Sequence, residues 1–288
     1  MSDDSPEHKT RPDDDASEEH RELPAEDGSS APYRDGAFYD HRYLKRKEDL
    51  NFYLRLIERV QADSVLELGV GTGRIATKIA EQGIRIAGVD RMRTMLQRAE
   101  ERIAKKPAQV QERLSLHQGD LRSIRLEEKF ALVIAPFNVL MHLYRREDFE
   151  RAMTTVRHHL ASSGRFAFDV RMPDFVELNR NPDKIYRSKD VTHPETKHRF
   201  HYRERFDYNA VRQIQLVATS LQREDSPSVH ISAPLTHRQF FPAELEALLH
   251  YNGFELEERY GNFDEDALDN YAESQVIVAR QRADWAPA

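Results

Sequence analysis

The stretch Ser64-Val-Leu-Glu-Leu-Gly-Val-Gly-Thr-Gly-Arg-Ile-Ala-Thr-Lys-Ile-Ala80 decides the fold. Ser64–Leu68 is a short apolar run, the pattern of a strand covered on both faces. Glycines at 69, 71 and 73 then interrupt it, and residues 74–82 return to helical spacing. A strand that passes through a glycine turn into a helix is one half of a βαβ unit.

The same alternation continues outward. Arg85–Val89 reads as a second strand, and Met92, Met95, Leu96, Ala99 and Ile103 define a helix that closes near Pro107. Leu114–His117 is a third strand and Phe130–Ala135 a fourth. Phe149, Ala152, Met153, Val156 and Leu160 mark a helix ended by Gly164, before a fifth strand at Arg165–Val170. This order predicts an α/β fold, a doubly wound and mostly parallel sheet. Ligands of such sheets lie beyond the carboxyl ends of the strands. Upstream, Leu50, Tyr53, Leu54 and Ile57 predict one amphipathic helix over about residues 40–60.

After Pro173 the period changes. Phe200, Tyr202, Phe206 and Tyr208 share one parity while Arg199, His201, Arg203, Arg205 and Asp207 share the other, as in a half-exposed strand. With Ile214–Leu221 and Val229–Leu235 this predicts an antiparallel β insertion over residues 185–240. Pro242 opens a further helix, and Phe254–Tyr260 and Ser274–Ala279 make a final antiparallel pair at the sheet edge.

The chain has 288 residues, a formal charge of −7 and no Cys. Disulfides, thiolate metal sites and cysteine nucleophiles are thereby excluded. Residues 1–32 hold eleven acids against three bases, a net of −8, which leaves the other 256 residues near +1. That segment, poor in large apolar side chains, is expected to be a disordered acidic tail, with residues 33–288 as the folded domain. An acidic docking arm is the alternative. The charge lacks the basic footprint of a nucleic-acid binder, and no apolar run approaches the ~20 residues that cross a bilayer. The acidic start resembles neither a secretory signal nor a transit peptide, so the expected location is cytoplasmic.

A glycine turn at a helix N-terminus suits an anionic or carboxylate-bearing ligand. The dinucleotide pattern G-x-G-x-x-G requires a glycine at position 74, where this chain has Arg74. This counts against a nicotinamide-dependent oxidoreductase, the first rival. The glycines instead follow G-x-G-x-G, with Glu67 two residues ahead. That pattern resembles the class I S-adenosylmethionine-dependent methyltransferases, and the resemblance extends through GVD at 88–90, QGD at 118–120 and the apolar fourth strand.

The resemblance implies a seven-stranded Rossmann-like sheet and S-adenosyl-L-methionine as methyl donor, with S-adenosyl-L-homocysteine as product. It places Gly69, Val70, Gly71 and Gly73 at the donor's amino-acid end, with Glu67 ordering the loop near the ammonium group. Asp90 takes the ribose hydroxyls, Arg91 follows it among the donor contacts, and Met92 is the candidate cover of an adenine face. Asp120 accepts from the adenine amino group and the Leu121 N–H donates to the ring. Each position also has a structural reading: a salt bridge for Glu67, a helix cap for Asp90, a turn for Asp120, core packing for Met92.

Ala135-Pro136-Phe137-Asn138 ends the fourth strand, beside the expected sulfonium. The polar head of the D/N-P-P-Y/F motif is replaced by Ala135, so methylation of adenine or glutamine amides is not inferred. Phe137–Leu143 is similar instead to small-molecule N-methyltransferases, among them the sugar N,N-dimethyltransferases and the glycine methyltransferases. The likeness implies a small-molecule amine acceptor and makes Tyr39 or Tyr43 a cover for the donor. His142 is then the candidate catalytic base, or a hydrogen-bonded structural histidine. Asn138, His142, Tyr202 and Glu204 are the candidate acceptor contacts, with His198 and His201 nearby; a strand turns His201 away from Tyr202 and Glu204. A solvated strand face is the alternative. No spacing among the 13 His suggests a metal, so none is expected. The insertion offers a surface for a homodimer. The second rival is a non-catalytic module that binds the same donor.

Overall fold

A computed structural model describes residues 33–285; the expected acidic tail at 1–32 lies outside the described residues. In chain order the elements are α1 (Gly36–Tyr43), α2 (Glu48–Arg59), β1 (Ser64–Leu68), α3 (Arg74–Glu81), β2 (Arg85–Asp90), α4 (Arg93–Ile103), α5 (Ala108–Gln111), β3 (Leu114–Gln118) and β4 (Phe130–Ala135). A 3₁₀ turn at Val139–His142 leads to α6 (Arg146–His159), β5 (Leu160–Arg171) and α7 (Phe175–Leu178). Then come β6 (Tyr186–Arg187), β7 (Val191–Thr192), β8 (Arg199–Asn209), β9 (Ile214–Arg223), β10 (His230–Arg238), α8 (Pro242–Tyr251), β11 (Phe254–Tyr260) and β12 (Ser274–Gln281).

Seven strands form one sheet in the order β11-β12-β5-β4-β1-β2-β3. The strands from β1 to β5 run parallel, while β12 is antiparallel to both β5 and β11. Of the predicted terminal pair, only β11 is an edge. The order reverses between β1 and β4, so the crevice of a doubly wound sheet opens there. Every residue of β1 is buried, because neighbours cover both faces. On one side Leu66, Leu68, Phe166 and Phe168 pack with Phe149 and Met153 of α6 and Leu245 and Leu249 of α8. On the other, Val65, Ile86 and Ile134 pack with Phe52, Leu56 and Ile79 from α2 and α3.

The segment at 40–60 forms two helices, not one. Only α2 carries the apolar stripe that packs on the sheet. The one buried residue of α1 is Asp40, which accepts from Thr72 Oγ1 at 2.6 Å and from Arg102 Nη2 at 2.6 Å. Those bonds tie α1 to the glycine loop and to α4. Gly164 does not end α6: β5 begins at Leu160 and runs through it. A Cβ at 164 would stand 3.0 Å from Leu160 Cδ2 and 3.1 Å from the Ala131 and Ala161 carbonyl oxygens, so close backbone approach selects glycine there.

The insertion is a second sheet of five strands, β10-β9-β8-β6 with β7 also on β8. Phe200, Tyr202 and Phe206 are buried on one face of β8, as the alternation predicts. Among the described residues no helix is long and apolar enough to cross a membrane.

Candidate functional site

The glycine turn is tied to β2 by the N–H groups of Gly69 and Val70, both donating to the Val89 carbonyl at 2.8 and 2.9 Å. Gly69 and Gly71 have φ of +75° and +55°, the left-handed region that L side chains avoid. Gly73 caps α3 and packs toward Ala99. Arg74 explains the departure from the dinucleotide pattern. Its guanidinium grips the buried Asp49 of α2 in bidentate fashion, at 2.9 and 2.5 Å, where a glycine could not.

Beside this turn lies a cavity with ≈1000 Å³ of empty volume. Its lining includes Tyr39, Gly69, Gly71, Asp90, Arg91, Met92, Asp120, Leu121 and Phe137 of the expected donor contacts. Glu67, Val70, Gly73 and Ala135 stand behind the lining, and Tyr43 sits one ring away, 4.8 Å from Tyr39. Asp90 accepts from Gly71 N through Oδ2 and from Met92 N through Oδ1, each at 2.8 Å. The carboxylate therefore joins the turn to the start of α4 while still facing the cavity. Burial raises its pKa, opposed by those same N–H bonds. Asp120 is clasped by Arg122, with Nη2 at 2.7 Å and Nε at 3.0 Å. Burial raises the Asp120 pKa, and the Arg122 bonds more than offset it.

Glu67 is 3% exposed, and its Oε2 is buried without a hydrogen-bond partner. Burial pushes its pKa to about 8, with the nearby Arg74 pulling the other way. An unpartnered carboxyl under a left-handed glycine turn can take a cationic group. The cavity thus has the Asp90 carboxylate, an aspartate beside Leu121 in its wall, apolar walls from Met92, Leu121 and Val139, and a glycine turn. These residues fit a nucleoside that carries an amino-acid chain.

At the end of β4, Phe137 and Asn138 have φ of +63° and +64°, left-handed in two successive non-glycine residues. Asp169 of β5 holds them there. Its carboxylate accepts from Phe137 N at 2.8 Å, Asn138 N at 3.2 Å and the Tyr53 hydroxyl at 2.8 Å. Burial raises its pKa to about 6 against those bonds.

Phe137, Tyr33 and Tyr39 line both this cavity and a larger groove of ≈3170 Å³ under the five-stranded sheet. Asn138, Tyr202 and Glu204 line the groove; His198 and His201 do not, and His201 faces Asp190 at 3.3 Å. His142 lies at the wall between the two spaces. Its Nε2 is 2.8 Å from the Tyr33 hydroxyl and its Nδ1 3.4 Å from the Tyr144 hydroxyl, which donates to the Thr236 carbonyl at 3.2 Å. Burial lowers its pKa to about 4, with a smaller push from Arg91. The His237 ring is 5.0 Å away on the groove side, its pKa also driven down by burial. Among the described residues no group of three or more His, Cys, Asp or Glu could hold a metal.

Several residues of this site escaped the sequence. Asp169 had a signal, an acid inside an apolar strand like Glu67. Val139 and Tyr144 flank Asn138 and His142 on the segment after β4, while Tyr33 and His237 had no signal, since only the folding of distant segments brings them here.

Residues 65–164 match the family described as methyltransferase domain. The glycine turn, Asp90 and Asp120 all fall within that methyltransferase domain. It is 29% identical over 104 residues to a dTDP-3-amino-3,4,6-trideoxy-alpha-D-glucopyranose N,N-dimethyltransferase of Streptomyces venezuelae, a match over 36% of this chain and 40% of that relative. A glycine/sarcosine N-methyltransferase of Aphanothece halophytica is 24% identical over 83% of this chain and 84% of its own length. The solved structure of the CcbJ methyltransferase from Streptomyces caelestis is similar in fold, with a TM-score of 0.71, 24% identity and coverage of 91% and 94% of the two chains.

Proposed function

We propose that this methyltransferase transfers the methyl group to the nitrogen of a small-molecule amine. The bound donor supplies a methyl group on a sulfonium centre. Asp90 would take the ribose hydroxyls, Asp120 and the Leu121 N–H the adenine, and Met92 an adenine face. The Gly69–Gly71 turn, backed by Glu67, would take the amino-acid end, with Tyr39 as cover. The acceptor enters from the groove past Asn138, Tyr202 and Glu204.

The observation that carries the amine reading is the state of His142. Both ring nitrogens are engaged by tyrosine hydroxyls, and burial disfavours the charged ring. With neither nitrogen free and its protonated form disfavoured, the imidazole is poorly placed to take a proton from an acceptor hydroxyl. A neutral amine brings its own lone pair and needs no such step. His142 then serves as a neutral hydrogen-bonding group that fixes Tyr33 at the wall, where the acceptor nitrogen arrives. The relatives named above, an amino-sugar and a glycine/sarcosine N-methyltransferase, act on nitrogen by name.

The test is a screen with isotopically labelled donor, pairing each amine with the alcohol of the same skeleton and reading the products by mass spectrometry. Label on amines alone is expected. Label on the alcohols alone would overturn the reading.

A further inference from the structure

Three of the five most exposed large apolar residues among the described residues line the groove. Phe175 is 65% exposed, Val176 80% and Tyr271 91%. The first two are held outward by α7, whose N-terminus is capped by Asp174 accepting from Val176 N at 2.8 Å and Glu177 N at 3.2 Å. Exposed apolar groups gathered at the rim of a groove signify a ligand surface more than isolated ones do. Inside, the apolar face of β8, with Phe200, Tyr202 and Phe206, continues from the rim toward the wall at Phe137.

Several ionic groups of the groove are engaged with the protein itself. Arg171 pairs with Glu177 at 3.4 Å and Asp35 with His193 at 2.9 Å, while Arg42 and Glu204 both bond the Tyr202 hydroxyl. Arg180 is stacked over Phe206 at 4.2 Å and Tyr186 at 5.0 Å. A small zwitterion such as an amino acid would leave the apolar rim and the apolar face of β8 uncovered.

We propose that the acceptor presents its nitrogen on a bulky apolar body, which lies along β8 and reaches the rim at Phe175, Val176 and Tyr271. The inference rests on the amine reading for the reacting atom only; the shape and polarity of the body come from the groove. On transfer, the amine lone pair forms the N–CH₃ bond, the S–CH₃ electron pair stays on sulfur, and the N-methylammonium formed loses its proton to solvent.

The full chain, saturated with S-adenosyl-L-homocysteine, is titrated by calorimetry with benzylamine through 4-phenylbutylamine, the matched alcohols, and glycine. The same compounds are assayed with labelled donor. Affinity is expected to rise along the aryl series and to exceed that of glycine at least tenfold. In Phe175→Ser/Val176→Ser/Tyr271→Ser the gain from chain length should vanish, with benzylamine and S-adenosyl-L-homocysteine affinities unchanged. Glycine bound or methylated best, equal affinities along the series, no binding by either series, or rim changes without effect would each overturn the inference. Binding of the aryl series with label only on its alcohols would defeat the amine reading and keep this one.

Discussion

Replacing Gly69 by alanine should damage the donor cavity through one identifiable contact. The added Cβ would lie 2.4 and 2.9 Å from the two γ-carbons of Val139, closer than real carbon atoms approach. Forcing the left-handed φ of +75° on alanine costs about 1–2 kcal/mol, and overpacking adds about 1–3 kcal/mol. Gly71→Ala is the internal control. Its φ of +55° carries the same backbone cost, but the nearest atom, Met95 Cε, is 3.6 Å away. Gly69→Ala should therefore lose about 2–5 kcal/mol in urea denaturation and Gly71→Ala about 1–2 kcal/mol. Because Val139 lines the cavity, Gly69→Ala should also weaken S-adenosyl-L-homocysteine binding. Val139→Ala removes the colliding methyls, so the double variant should recover the overpacking part, a favourable coupling of about 1–3 kcal/mol. Equal losses in the two single variants, or zero coupling with Val139→Ala, would refute the reasoning.

Glu67, raised by burial to about 8, binds its proton more tightly folded than unfolded. Stability from this group is full below its unfolded pKa near 4 and falls as pH rises to 8, by on the order of 5 kcal/mol at most; Glu67→Gln should flatten that part of the pH–stability curve. Asp169→Asn cannot accept both N–H groups of the left-handed turn, and should lower stability by about 1–3 kcal/mol and shift the Phe137 ring signals in NMR spectra. Arg74→Ala leaves the buried Asp49 carboxylate without its bidentate partner, which should cost about 3–5 kcal/mol by denaturant unfolding.

The centre of the parallel half was legible because its strands there are apolar runs covered on both faces. Ser64–Leu68 and Phe130–Ala135 fall where the periodicity puts them. The helix break near residue 44 was not, because it depends on Asp40 reaching Thr72 and Arg102, remote in sequence. Gly164 misled for a related reason: a glycine after a helix reads as a stop, while here it admits the carbonyls of Ala131 and Ala161. The cavity wall at Gly69, Gly71 and Asp90 was readable, since these residues lie on one βαβ unit and chain geometry alone brings them together. The wall toward the groove was not. His142 meets Tyr33 and His237 only after distant segments pack, and its depressed pKa follows from that burial.

Calorimetric titration of S-adenosyl-L-homocysteine into Asp90→Ala, beside the wild type and with circular dichroism to follow the fold, tests the central assignment most directly. Losing two hydrogen bonds to a charged carboxylate is worth about 3–6 kcal/mol, so affinity should fall at least 100-fold while the sheet and helices persist. Wild-type affinity in a folded Asp90→Ala protein would contradict the assignment of Asp90 to the ribose and, with it, the placement of the donor in this cavity.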